Sequence, residues 1–215
     1  MSQIQSLRDH VCNYIHEKIK AGSLVAHEKL SEAQICSDLN ISRTPAREAL
    51  IMLATEHIID YVPRKGFYVK EITVEDMLEY YCLMGTLDAF AASLAIKYLT
   101  DRDYQRMDEL IARMNLAIEY NKHDEYLQLQ DAFHQVYISK AHNHPLHETM
   151  TSLSSRYIPL TYNQHKVDEE TYKALLLKTN EEHRQIVAYF KKGEKEEVAD
   201  YIRNVHWETK HVELL

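Results

Sequence analysis

Ile41-Ser42-Arg43-Thr44-Pro45-Ala46-Arg47-Glu48-Ala49-Leu50 is the stretch on which the reading of this chain turns. Pro45 is tolerated in the first turn of a helix, where its missing amide proton would have no partner, and Ser42 or Thr44 can cap that turn. Ala46, Ala49, Leu50 and Leu53 repeat at helical spacing as a buried stripe. Arg43, Thr44 and Arg47 are left facing outward at the positive end of the helix dipole, with Glu48 as the nearby acid, on a neighbouring face. Upstream, Ser31-Glu32-Ala33-Gln34 has the pattern of a capping box. Ile35 and Leu39 give that helix one apolar face, and Asn40 suits a left-handed stop.

Downstream, Ile58-Ile59-Asp60-Tyr61-Val62 and Phe67-Tyr68-Val69-Lys70 are β-branched and aromatic runs separated by Pro63-Arg64-Lys65-Gly66. That is a two-stranded hairpin with a basic, Gly-bearing tip, suited to a phosphate backbone or a minor groove. A lone Ser-Arg-Thr-Pro is an ordinary solvated helix start. Helix, turn, cationic helix and basic wing in that order instead describe a DNA-reading unit. Ser6 can cap a first helix running through Lys20, which Gly22 ends.

On these residues the stretch from Gly22 to Val69 resembles the winged helix-turn-helix of GntR-type bacterial transcription regulators. The resemblance rests on Leu30-Ser31-Glu32, on Ser42 through Leu50 and on Arg64-Lys65-Gly66-Phe67-Tyr68-Val69. It implies that Arg43, Thr44 and Arg47 contact operator DNA from the recognition helix, with Gly66 and its neighbours at the wing. The candidate DNA-binding set is Ser42, Arg43, Thr44, Arg47, Arg64, Lys65 and Gly66. Two positions depart from the family pattern. Ala26-His27 stands in place of Pro-Gly, and His57 stands where a glycine usually ends the recognition helix.

The chain has 215 residues and a net charge of −8. Residues 1–72 hold nine basic and nine acidic side chains, so the whole surplus of acid lies beyond them. Such a body permits DNA binding through a locally basic surface, with a marked salt dependence. Four glycines and four prolines point to long helices and short connections. No run approaches the roughly 20 apolar residues of a membrane span. No signal peptide is visible, and Cys12, Cys36 and Cys82 are isolated and odd in number. A reducing cytoplasm is the expected setting.

The expected fold is mainly α: a winged helix-turn-helix over residues 1–72, then an all-α bundle over 73–215. Its helices are read at about 77–99, 101–120, 124–141, 145–162, 169–177, 181–192 and 194–211. This second part resembles the ligand-binding domain called FCD, on Phe133-His134, Ala141-His142-Asn143-His144-Pro145-Leu146, Glu182-His183 and Ala199 through His206.

Asp131 and His134 share a helix face three residues apart. His183 and His206 flank the Lys192-Gly193 turn, and at ~1.5 Å rise per residue two antiparallel helices bring them level. A carboxylate and three imidazoles converging inside a bundle suit a divalent transition ion such as Zn²⁺, Ni²⁺ or Mn²⁺. The resemblance implies the same site, with the acid four residues before the first histidine, a position that is Gln130 in this chain. It also implies a His183–His206 spacing about one residue shorter, and the Glu194-Lys195-Glu196-Glu197 turn can hold the extra one. An unliganded polar pocket is the plain alternative. His142, His144 and His147 read as loop and cap residues.

Arg156, mid-helix with Leu153, Tyr157 and Leu160 around it, marks an effector pocket for a small molecule, an organic acid among the choices, to which Tyr80 and Tyr81 could add hydroxyls. A simple salt bridge is the alternative for Arg156. A second arginine usual in the family is Met84 in this chain. The expectation is a homodimeric, ligand-responsive regulator on a palindromic operator, repressing as the resemblance implies. Two alternatives stay open: a metal-dependent enzyme using the same four ligands, and a sensor in which the ion itself is the effector.

Overall fold

The computed structural model of the chain describes residues 7–20, 22–55, 57–161 and 168–209, and of residues 8, 9, 16, 20 and 155–161 the backbone only. Its elements run α1 (Leu7–Lys20), β1 (Lys29–Leu30), α2 (Glu32–Leu39), α3 (Arg43–Thr55), β2 (Ile59–Val62) and β3 (Gly66–Val69). They continue as α4 (Val74–Ala95), α5 (Asp101–Glu119), α6 (His123–Ile138), α7 (His144–Thr161), α8 (Glu169–Lys192) and α9 (Lys195–Tyr201). The chain divides into two compact units, Met1–Thr73 together with Arg156–Asn163, and Val74–Ser155 together with Gln164–Leu215. The Ser6 cap lies outside the described residues.

In the first unit local chemistry sets the turns. The Ser31 hydroxyl accepts from the Gln34 amide at 3.2 Å, and Asn40 stops α2 in the left-handed conformation at φ 52°. Ala46, Ala49, Leu50 and Leu53 form the inner face of α3, against a core that includes Val11, Ile15, Ile35 and Phe67. Burying side chains such as Leu50 and Leu53 is worth about 1.5–3 kcal/mol each. The wing is an antiparallel sheet in the order β1-β3-β2, with Tyr61 opposite Phe67 and Val62 opposite Gly66. The expected two-stranded wing thus gains a third, two-residue strand, because Lys29 and Leu30 pair with Tyr68 and Phe67.

The second unit is helical throughout its described residues. Helix α4 packs against α6 and α9, while α5 packs against α6 and α8. Being covered on more than one side, α4 buries Met77, Tyr80, Met84, Asp88, Ala89, Ala91, Ala92 and Ala95. Thr100 and Asp103 cap α5 reciprocally. The two helices expected over 169–177 and 181–192 are one, α8, opened by Asp168 and closed by left-handed Gly193. Its middle holds because the buried Asn180 side chain donates to the Ile111 carbonyl at 3.0 Å and to Asn115 Oδ1 at 2.7 Å, so a residue that favours breaks is tied to α5 instead. After Tyr201 the chain leaves α geometry for a π-helical turn, Ile202–His206. No described helix is long and apolar enough to cross a membrane.

Candidate functional site

The buried stripe of α3 dictates what its other face offers. Ser42, Arg43, Thr44 and Arg47 are all exposed, as are Arg64 and Lys65 at the wing tip. Arg64 takes a left-handed φ of 65°, and Gly66 follows at 108°, so the tip folds back into β3 without displacing the basic pair from solvent. Arg47 has a second acid besides Glu48: its Nη1 lies 3.9 Å from Glu32 Oε2 on α2. Further along α3, Ile51 and Met52 also stand exposed, at 50% and 44%. The spacing from Arg47 to Ile51 is one helical turn. His27 and His57, the two departures from glycine, both adopt positive φ, 65° and 59°.

In the second unit three histidines meet. His134 on α6, His183 on α8 and His206 on the π turn are buried, with one ring nitrogen of each lying within 4.8 Å of the others. Their ring centroids are 4.7–5.4 Å apart. The tautomers follow from the neighbours. His134 Nδ1 lies 3.1 Å from Asp88 Oδ2 and 2.7 Å from the Tyr137 oxygen, whose own proton goes to Asp88 Oδ1. His206 Nδ1 lies 3.1 Å from Glu182 Oε2. His183 Nδ1 faces Asn180 Oδ1 at 3.2 Å, and that oxygen is fixed as the acceptor by the two bonds Asn180 Nδ2 donates elsewhere. Each Nδ1 therefore carries the proton, and each Nε2 keeps its lone pair. His206 Nε2 and His134 Nε2 are 3.3 Å apart. His183 Nε2 is buried with no hydrogen-bond partner among the described residues.

For His183 and His206 electrostatics agrees with that assignment. Burial would raise the Asp88 pKa, but the His134 imidazole and the bonds from His134, Tyr137 and Trp207 together hold it below the usual carboxylate value. Burial first, then the neighbouring imidazoles, pushes His183 well below 6.5. His206 is lowered as well, chiefly by burial, against the opposing pull of Glu182. Neutral imidazoles at neutral pH are the form in which histidine binds ions.

Asp131 does not join them: it is exposed on α6 and lies outside the cluster. The acids that meet the imidazoles are Asp88 and Glu182, both missed in the sequence. Glu182 adjoins His183, and Asp88 is the lone acid in the apolar run from Leu83 to Ala95, which were the signals to follow. Between His183 and His206 the chain passes through the π turn, a second place besides the Glu194 turn that can hold the extra residue. The Trp207 amide reaches back five residues to the Ile202 carbonyl at 3.0 Å, and such a turn holds one residue more than an α turn. That geometry delivers Trp207 to Asp88 Oδ2, 2.8 Å from its indole nitrogen. Gly85 makes the approach possible, since a Cβ there would stand 2.7 Å from the Trp207 Cβ.

Tyr81 packs edge-on against Trp207 at 5.2 Å between ring centroids. Burial, and then the charge of Glu182, pushes its phenol up to about 12. Tyr126 buries a hydroxyl with no hydrogen-bond partner among the described residues. Arg156 falls on α7, and its side chain lies outside the described residues. His142 and His144 take the loop and helix-start places expected of them, and His147 bonds Gln135 in the first turns of α7.

A winged N-terminal unit with a basic helix start and wing tip, and a helical unit with a polar histidine core, define a class of two-part regulators, and sequence comparison agrees. Residues 7–69 match the family described as bacterial regulatory proteins, gntR family, and residues 79–206 match the FCD domain. The chain belongs to the gntR family of bacterial regulatory proteins, in the branch that carries an FCD domain. It is 29% identical over 129 residues to the Nta operon transcriptional regulator of Aminobacter aminovorans, covering 60% of this chain and 61% of that protein. It is also 29% identical over 107 residues to the HTH-type transcriptional repressor RspR of Escherichia coli, covering 50% of this chain and 47% of the relative. The matched stretch thus spans between about half and three fifths of these relatives' lengths. In fold it is similar to the E. coli McbR/YncC structure, with a TM-score of 0.75 at 22% identity over 94% of both chains.

Proposed function

We propose that the chain is a DNA-binding transcription regulator acting in the cytoplasm as a homodimer, with two winged units on a palindromic operator whose half-sites lie about 34 Å apart. The observation that carries this reading is the joint exposure of Arg43, Thr44 and Arg47 at the start of α3 and of Arg64 and Lys65 at the wing tip. Residues at the start of a recognition helix reach base edges, while a basic tip suits phosphates. Repression is the sign of action, in keeping with the names of RspR and of the gluconate operon repressor of Bacillus subtilis, which is 29% identical over 121 residues. The test is fluorescence anisotropy on duplexes selected from a random library, at two salt concentrations. Sequence-preferring binding that weakens steeply with salt supports the reading. Equal binding by a variant carrying Arg43→Ala and Arg47→Ala would overturn it.

The helical unit is read as the ligand-responsive part. The donor set fits a divalent transition ion, because three neutral imidazoles turn their lone pairs inward and His183 Nε2 has no partner among the described residues. His134, His183 and His206 would hold Zn²⁺, Ni²⁺ or Mn²⁺, with Asp88, Asn180 and Glu182 orienting them. Such an ion would supply Lewis-acid attraction for an oxygen of a small-molecule effector, organic acids being the first class to screen, with Tyr81 as a further contact. A regulatory family fits a non-enzymatic role for this centre. Metal analysis of protein purified without chelator, followed by operator binding with and without EDTA, separates the roles. Loss of DNA affinity on chelation makes the ion an effector, and unchanged affinity makes it structural.

A further inference from the structure

We infer that Gln130 supplies the fourth protein donor of this centre through its amide oxygen, and that the ion's charge is balanced from the next layer by Asp88 and Glu182. The inference rests on the reading that the three imidazoles bind a divalent ion. Gln130 stands four residues before His134 on α6, so the two side chains rise from one helix face. Its Oε1 is fully buried and has no hydrogen-bond partner among the described residues. A buried amide oxygen left without a partner is costly, and native proteins keep one where something completes it. His183 Nε2 is a buried acceptor in the same condition. A cation satisfies lone pairs of both kinds, whereas a further hydrogen-bond acceptor satisfies neither. Asp131, the next residue, turns to solvent, so α6 offers no carboxylate to the centre from this turn.

Charge then has to come from elsewhere. Three imidazoles and an amide are neutral, and a buried dication without countercharge is strongly disfavoured. Two buried carboxylates stand one atom layer out, Asp88 on the Nδ1 side of His134 and Glu182 on the Nδ1 side of His206. Together they balance two positive charges through the imidazoles they orient. Their position also makes those rings better donors, since a carboxylate on Nδ1–H raises the basicity of Nε2.

The experiment strips the full-length protein of metal and titrates Zn²⁺ in competition with a chromophoric chelator, for the wild type and for Gln130→Ala, Gln130→Glu, Asp131→Ala and Asp88→Asn. The inference expects Gln130→Ala to weaken Zn²⁺ binding by about 10-fold or more, and the nearly isosteric Gln130→Glu to tighten it. It expects Asp131→Ala to leave affinity unchanged and Asp88→Asn to weaken it about 10–100-fold. With Co²⁺ as the probe, the visible spectrum should change in the Gln130 variants and not in Asp131→Ala. Fluorescence of Trp207, the single tryptophan, reports whether each variant is folded. Wild-type affinity and spectrum in both Gln130 variants would overturn the inference while leaving the imidazole centre standing. A wild-type protein that takes up neither ion would overturn the centre itself.

Discussion

The two units spend their polar side chains in opposite ways. In the winged unit the functional groups stand in water at one end of a short helix and at a hairpin tip, and the fold beneath them is apolar. In the helical unit Asp88, His134, Asn180, Glu182, His183 and His206 are buried side by side, contributed by α4, α6, α8 and the π turn. An exposed arginine costs the fold almost nothing, so it is free to be selected for a partner. A buried polar cluster must be satisfied internally, and when only partly satisfied it is a weak point. Recognition and stability should therefore come apart in the first unit and move together in the second.

The largest test of that contrast is Leu50→Ala. Leu50 is fully buried in the winged core, and its truncation should cost about 2–5 kcal/mol. Operator binding should vanish with the fold of that unit, while Zn²⁺ uptake by the other persists. Loss of both on one melting curve would show that the units fold as a single cooperative body. Metal removal comes next. An ion at a hundredfold its dissociation constant stabilises by about 2.7 kcal/mol, and chelation should lower the melting temperature accordingly. His183→Ala should abolish the difference between loaded and chelated samples.

The metal-free protein should also be sensitive to pH. The folded state holds His183 and His206 below 6.5, so the unfolded chain binds more protons below that value. Stability is then retained above about pH 6.5 and lost as the pH falls through it. Chemical denaturation of the chelated protein at several pH values measures the trend. A midpoint that rises on acidification would contradict the assignment of neutral, inward-facing imidazoles.

Arg47→Ala should act in the opposite manner, costing about 1–3 kcal/mol of specific binding if the side chain reads a base. Its effect on stability should stay within about 0.5 kcal/mol, because the side chain is 59% exposed. A uniform loss across all duplex sequences would make it a phosphate contact instead.

The same contrast explains what could be read from the chain. Ser31, Asn40, Pro45 and the Arg64-Lys65-Gly66 tip act on their own neighbours, so local rules place them and the outward face of α3 follows. The third strand was missed because Lys29 and Leu30 are too short a run to announce pairing with Phe67 and Tyr68. In the helical unit the three histidines were legible through helix register, yet their supporting acids were not. Asp131 satisfied the local spacing, whereas Asp88 reaches His134 only because α4 packs on α6. The continuity of α8 likewise depends on a bond from Asn180 to α5, and the π turn on where Trp207 has to land. These are tertiary facts, with no local pattern to signal them.

The smallest expected effect tests the boundary between the two behaviours. Glu32 caps the approach to Arg47 at 3.9 Å, with the two side chains 31% and 59% exposed. An exposed pair at that distance contributes about 0.2–1 kcal/mol at most, so Glu32→Gln should barely move the melting temperature. On DNA the substitution does two things. It removes a negative charge beside the phosphates, which favours binding at every sequence, and it frees Arg47 to adopt other rotamers, which disfavours a bidentate base contact. If charge dominates, affinity rises equally for operator and random duplexes. If Glu32 aims the guanidinium, random binding rises while the operator gains less, and the ratio of the two falls. Comparing that ratio at two salt concentrations separates these outcomes, because screening diminishes the first effect and leaves the second.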